Sequence, residues 1–214
     1  MSFRRHFRLV NFLLPLMILA CAAPSFTATP STGAILFKDD FSSRASGWDH
    51  TKYAEGIMDY DAGGYRILVN ALQVNFWATP QKDFSDVRIE ADAGKLAGPD
   101  ENRIGLICRF NGEDYYFFIL SSDGYSGLGI FSKGEATLLG QTEMQYSEKI
   151  KTGAAVNHLR ADCNGDTLTF YVNGFKIAEV HDSTLTRGDV GLLAGTFDQP
   201  GVDVIFDNFV VIKP

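Results

Sequence analysis

The chain has 214 residues, 45% of them apolar and 13% aromatic, which is enough for one sizeable β domain with a real core. The formal net charge is −7. The first 20 residues carry Arg4, Arg5 and Arg8 and no acid, so the remainder holds 16 basic against 26 acidic residues, a net −10. That excess of acid argues against nucleic acid or an anionic membrane surface as partner, and is compatible with calcium or neutral sugars.

A basic start followed by an apolar run from Leu9 to Ala20 has the plan of an export signal; the run is short for a spanning helix and Pro15 interrupts it. Its end, Ile18-Leu19-Ala20-Cys21, resembles the bacterial lipobox. The expectation is a lipoprotein signal peptide over 1–20, with Cys21 lipidated. The protein would then be exported and held at the cell membrane or surface through its lipid alone. Residues 21–33, rich in Ala, Pro, Ser and Thr, read as a flexible tether before a single domain over 34–214.

Within the domain, short β-branched and aromatic runs alternate with turn signals. Strands are expected at Ile35–Phe41, Gly56–Tyr60, Tyr65–Asn70 and Gln73–Thr79, with a hairpin turn at 61–64 and a stop at Pro80. Phe84–Ala93 alternates cleanly, with Val87, Ile89, Ala91 and Ala93 inward and Arg88, Glu90 and Asp92 outward; Gly94–Glu101 reads as a loop. Residues 102–131 form a three-stranded meander turning at Asn111-Gly112 and Asp123-Gly124. Further strands follow at Glu135–Gln141, Asn157–Cys163, Thr167–Val172, Lys176–Val180, Val190–Phe197 and Val202–Ile212. No segment has helical periodicity, so the fold class is all-β, a sandwich or barrel. Period-two counting points Cys108 inward with Ile104, Leu106 and Phe110, and Cys163 inward with Leu159 and Ala161. In an exported chain whose Cys21 is lipidated, these two cysteines are expected to form a disulfide.

The order Leu159-Arg160-Ala161-Asp162-Cys163, Asp166 to Gly174, Gly188-Asp189-Val190-Gly191-Leu192 and Phe206-Asp207-Asn208-Phe209 resembles the concanavalin A-like lectin/glucanase superfamily. It is closest to laminin G-like modules and the 3-keto-disaccharide hydrolase-type domain. The resemblance spans about residues 35–214, beginning with Asp39-Asp40-Phe41 and Trp48, and implies a two-sheet antiparallel jelly-roll sandwich. It also implies a structural Ca²⁺ held by Asp207 on the last strand, the Gly64 loop and the Asp40 region.

Catalytic signatures are sparse. Family 16 glycosidases on this fold carry E-x-D-x-x-E, and here Glu90-Ala91-Asp92 is followed by Ala93, Gly94 and Lys95, so the second glutamate is missing. There is no G-x-S-x-G elbow, phosphate loop or H-E-x-x-H. Trp77 alternates with Asn75 and Gln73 on one strand face. Arg103 and Arg109 lie opposite the Cys108 face, and Tyr116 comes from the next strand. The resemblance implies that these strands adjoin, so Asn75, Trp77, Arg109 and Tyr116 are expected to form an open platform for a glycan or other cell-surface ligand. Three readings stand: a non-catalytic lectin-like module, a glycoside-cleaving enzyme of the 3-keto-disaccharide hydrolase type, and a structural or adhesion module.

Overall fold

The computed structural model describes residues 32–214; the expected signal peptide, Cys21 and nearly all of the tether lie outside the described residues. Sixteen strands, numbered in chain order, form two antiparallel sheets. The larger runs β14 (Phe175–His181), β13 (Thr167–Val172), β12 (Asn157–Asn164), β6 (Val87–Ala97), β16 (Val202–Ile212), β4 (Gly64–Val69), β3 (Gly56–Asp61), β2 (Thr51–Tyr53), with β1 (Ile35–Asp39) also pairing β16. The smaller runs β10 (Glu135–Leu138), β9 (Tyr125–Ser132), β8 (Tyr115–Leu120), β7 (Asn102–Phe110), β15 (Asp189–Thr196), β5 (Asn75–Ala78), with β11 (Gln145–Tyr146) on β9.

Each strand places alternate side chains on opposite faces, and the inward set of one sheet meets that of the other. On β6 Val87, Ile89, Ala91 and Ala93 are buried, as the alternation predicts. They pack against Ile104, Leu106, Phe118, Leu128 and Leu192 of the smaller sheet. The expected disulfide is present: Cys108 on β7 joins Cys163 on β12 with Cα atoms 6.9 Å apart, tying the sheets together through the core. Trp48 is also a core residue. Its ring meets Phe209 at 4.8 Å, and its indole N–H donates to Asp39 Oδ2 at 2.9 Å.

The smaller sheet has a second apolar cluster on its outer face. Ile107, Tyr115, Phe117, Ile119 and Leu193 are buried there, with Trp77, Phe110, Phe131, Leu138 and Met144 packed over them. A sandwich needs only one apolar face per sheet, so an apolar outer face marks a surface with a further use.

Candidate ligand groove

The outer face of the smaller sheet is hollowed into a groove of about 540 Å³. Its walls are aromatic. Trp77 lies 5.6 Å from Tyr115, and Tyr115 stacks on Phe131 at 5.1 Å with the planes 15° apart. Leu138 on β10 and Met144 just before β11 close one side. Glycines at outward positions create the depth. A Cβ on Gly129 would come within 2.3 Å of the Phe117 ring, so glycine there lets that ring lie flat on the sheet. A Cβ on Gly195 would come within 2.1 Å of Asn75 Oδ1. Gly195 thus makes room for the polar end of the groove.

That end is built from Gln73, Asn75 and Arg103. The Arg103 guanidinium donates from Nη1 to Asn75 Oδ1 at 3.1 Å and to the Thr196 carbonyl at 2.9 Å. Its Cζ sits over the Phe197 ring, 3.9 Å from the centroid. Burial also pushes the Tyr115 hydroxyl up to about 12, so it stays protonated at neutral pH. The lining thus combines flat apolar rings with planar hydrogen-bonding side chains, the two features that sugar recognition uses. None of the described residues that line it is an acid.

Of the four residues expected to form the platform, Asn75 and Trp77 line this groove and Arg109 and Tyr116 do not. Tyr116 is fully buried and faces the interior; its hydroxyl donates to Asp182 and accepts from Leu185 N–H at 3.0 Å. Its neighbour Tyr115 is the groove residue. All six residues of β8, Tyr115 to Leu120, are aromatic or aliphatic and buried, so no alternating polar residue marks which parity faces outward. Arg109 is only 2% exposed and leaves the alternation at a bulge, where Asp189 pairs Phe110 but Gly191 pairs Ile107. Its φ of 56° turns the side chain to the end of the sandwich. There it donates to the carbonyls of Leu185 and Gly165 and meets Asp86 at 3.3 Å. The same bulge moves Phe110 from the expected inner face to the outer cluster.

Glu90 and Asp92 lie on the larger sheet, on the far side of the sandwich from the groove. His158 holds both, with Nδ1 2.8 Å from Asp92 and Nε2 3.6 Å from Glu90. As for the expected calcium ligands, Asp207 accepts the Asn208 N–H at 2.6 Å. Asp40 accepts the Ser42 N–H and hydroxyl, and those bonds hold its carboxyl below the usual range. Gly64 packs against Ile205 and the Phe206 carbonyl. Asp40 and Asn208 line one shallow depression. Among the described residues no three His, Cys, Asp or Glu side chains cluster to hold a metal, so a calcium ion here would depend on leftover carboxylate oxygens and backbone carbonyls.

Beside the groove, across Trp77, is a more open depression with Asp49, Asp83 and Asp189 on its lining. Burial raises the Asp189 carboxyl above the ordinary aspartate value. Asp49 is committed to Thr79 and Gln81, and Asp83 to Arg187.

Solved structures share this architecture. The carbohydrate-binding module CBM66 from Bacillus subtilis superposes with a TM-score of 0.64 at 17% identity, over 78% of this chain and 95% of its own. This is the concanavalin A-like jelly-roll fold. A Bacillus subtilis protein of unknown function with a galectin-like fold gives 0.64 at 14% identity, covering 86% of this chain and 97% of that one. The GH16 of the Bacteroides ovatus mixed linkage glucan PUL, in complex with its product, gives 0.59 at 13%, covering 83% of this chain and all of that one. No family model and no curated protein sequence matches the chain.

Proposed function

We propose that the chain is a lectin-like module that holds a glycan in the groove of the smaller sheet without cleaving it. The groove's lining carries the reading: Trp77 and Phe131 are half-buried aromatic walls resting on the buried Tyr115 ring, Gln73, Asn75 and Arg103 offer hydrogen bonds, and no described lining residue is a carboxylate. Glycoside hydrolysis by the usual route needs two carboxyl groups flanking the scissile bond, ~5–5.5 Å or ~6.5–9.5 Å apart. The nearest match to a family 16 signature, Glu90 and Asp92, sits on the opposite sheet. The fold shared with a carbohydrate-binding module supports binding. Probing a glycan array with the exported protein, and assaying each bound glycan for reducing-end release, tests the proposal. Binding without release is expected; the absence of any bound glycan would sink it.

The depression beside Trp77 favours a second reading, glycoside cleavage with Asp189 as the proton donor. Release of reducing ends that Asp189→Asn abolishes would establish it. In either case we place the module outside the cytoplasm, tethered by a lipid on Cys21. The mass of the mature N-terminal peptide tests that placement.

A further inference from the structure

Seven arginines lie among the described residues. Six have a carboxylate oxygen within 3.3 Å, and Arg103 has none. In an acidic protein this is the opposite of what chance provides. Arg103 is also largely withdrawn from water, which pushes its pKa down by desolvation. An arginine nonetheless stays charged at neutral pH. Arg103 is thus a partly buried positive charge that no described residue meets with an anion.

The side chain is held rather than loose. Phe197 covers one face of the guanidinium, and Asn75 and the Thr196 carbonyl take Nη1. Nε and Nη2 meet no acceptor among the described residues, and together they form the edge that pairs with two oxygens of one planar anion.

We propose that Arg103 receives a carboxylate of the bound glycan, so that the groove's ligand contains a uronic-acid residue. This rests on the groove being the glycan site. The surroundings limit the ligand further. Glu101 and Asp123 line the next depression, which shares Phe197 and Met144 with the groove. These acids, and the net negative charge of the chain, oppose a run of charged residues. The ligand that fits is a largely neutral oligosaccharide with one uronic acid placed at Arg103.

Calorimetric titration of the full mature chain tests this with four tetrasaccharides: one carrying a single uronic acid, its carboxyl-reduced counterpart, a fully charged tetrauronide, and a singly sulfated analogue. Wild type should bind the single-uronate ligand at least tenfold more tightly than the reduced one, and more tightly than the tetrauronide. In Arg103→Gln the two ligands of the reduced pair should bind alike, and that ratio is internal to one folded sample. Equal binding of the pair by wild type, or an unchanged ratio in Arg103→Gln, overturns the inference while leaving a neutral-glycan groove standing. Preference for the sulfated analogue overturns the carboxylate assignment. No binding of any tetrasaccharide removes the groove reading itself.

Discussion

Replacing Cys108 and Cys163 together by alanine removes the one disulfide among the described residues, which cross-links the two sheets. The cysteines are 55 residues apart in sequence. In the loop-entropy account the cross-link then denies the unfolded chain about 14 cal/mol/K, or about 4 kcal/mol at 25 °C. Both sulfurs are fully buried, so their loss adds ~1 kcal/mol of missing packing. For a domain of this size each kcal/mol moves the melting point by ~2–4 °C, which gives a drop of about 10–20 °C. Urea unfolding followed by fluorescence is the assay. The midpoint should fall and the m-value should rise, because an unconstrained unfolded chain exposes more surface. The groove lies on the outer face of the smaller sheet, so ligand affinity at 20 °C should be unchanged in the folded variant. A stability loss below ~1 kcal/mol with an unaltered m-value would refute this reasoning.

Gly195→Ala should displace Asn75 and loosen Arg103, since the added Cβ would meet Asn75 Oδ1 at 2.1 Å; titration should find ligand binding at least tenfold weaker, with a stability cost of ~1–3 kcal/mol. The buried Asp189 carboxyl binds its proton more tightly folded than unfolded, so stability should fall as pH rises from the unfolded value of ~3.9 through its raised folded value. Asp189→Asn should flatten that slope and be at least as stable as wild type at pH 7, as measured by melts between pH 4 and 7; an unchanged slope would assign the pH dependence elsewhere. Calcium at Asp207 is proposed from the resemblance. Added calcium should raise the melting point over that in chelator and Asp207→Ala should erase the difference, whereas identical melts count against the site.

Much of the architecture is legible in the sequence because turns and alternation are local. The Asn111-Gly112 and Asp123-Gly124 turns and the in-out pattern of β6 are all where they were expected. Features set by partners were not legible. Gly94 to Ala97 reads as a loop but continues β6, because Gly94, Lys95 and Ala97 pair with Ile205, Val204 and Asp203. The three-residue β2 and two-residue β11 are too short to carry a period. At the groove, alternation gives Asn75 and Trp77 the outward face on which they lie, because β5 mixes polar and apolar residues. It failed for Tyr116 in an unbroken apolar run, and for Arg109 because a bulge resets the count. Arg103 shares Arg109's expected face, but the bulge turns Arg109 to the end of the sandwich and an ion pair with Asp86, while Arg103 stays on the groove.

The chain holds two tryptophans, and they report separately. Trp48 is sealed in the core, while Trp77 is half-buried in the groove wall. Tryptophan fluorescence of wild type, Trp48→Phe and Trp77→Phe, titrated with a glycan identified on the array, is therefore the most direct measurement. If the groove is the binding site, wild type and Trp48→Phe show a saturable change of emission, and Trp77→Phe shows none and binds at least tenfold more weakly by calorimetry. A saturable signal that persists in Trp77→Phe, or binding that leaves the Trp77 emission untouched, would place the ligand elsewhere on the protein and contradict the account.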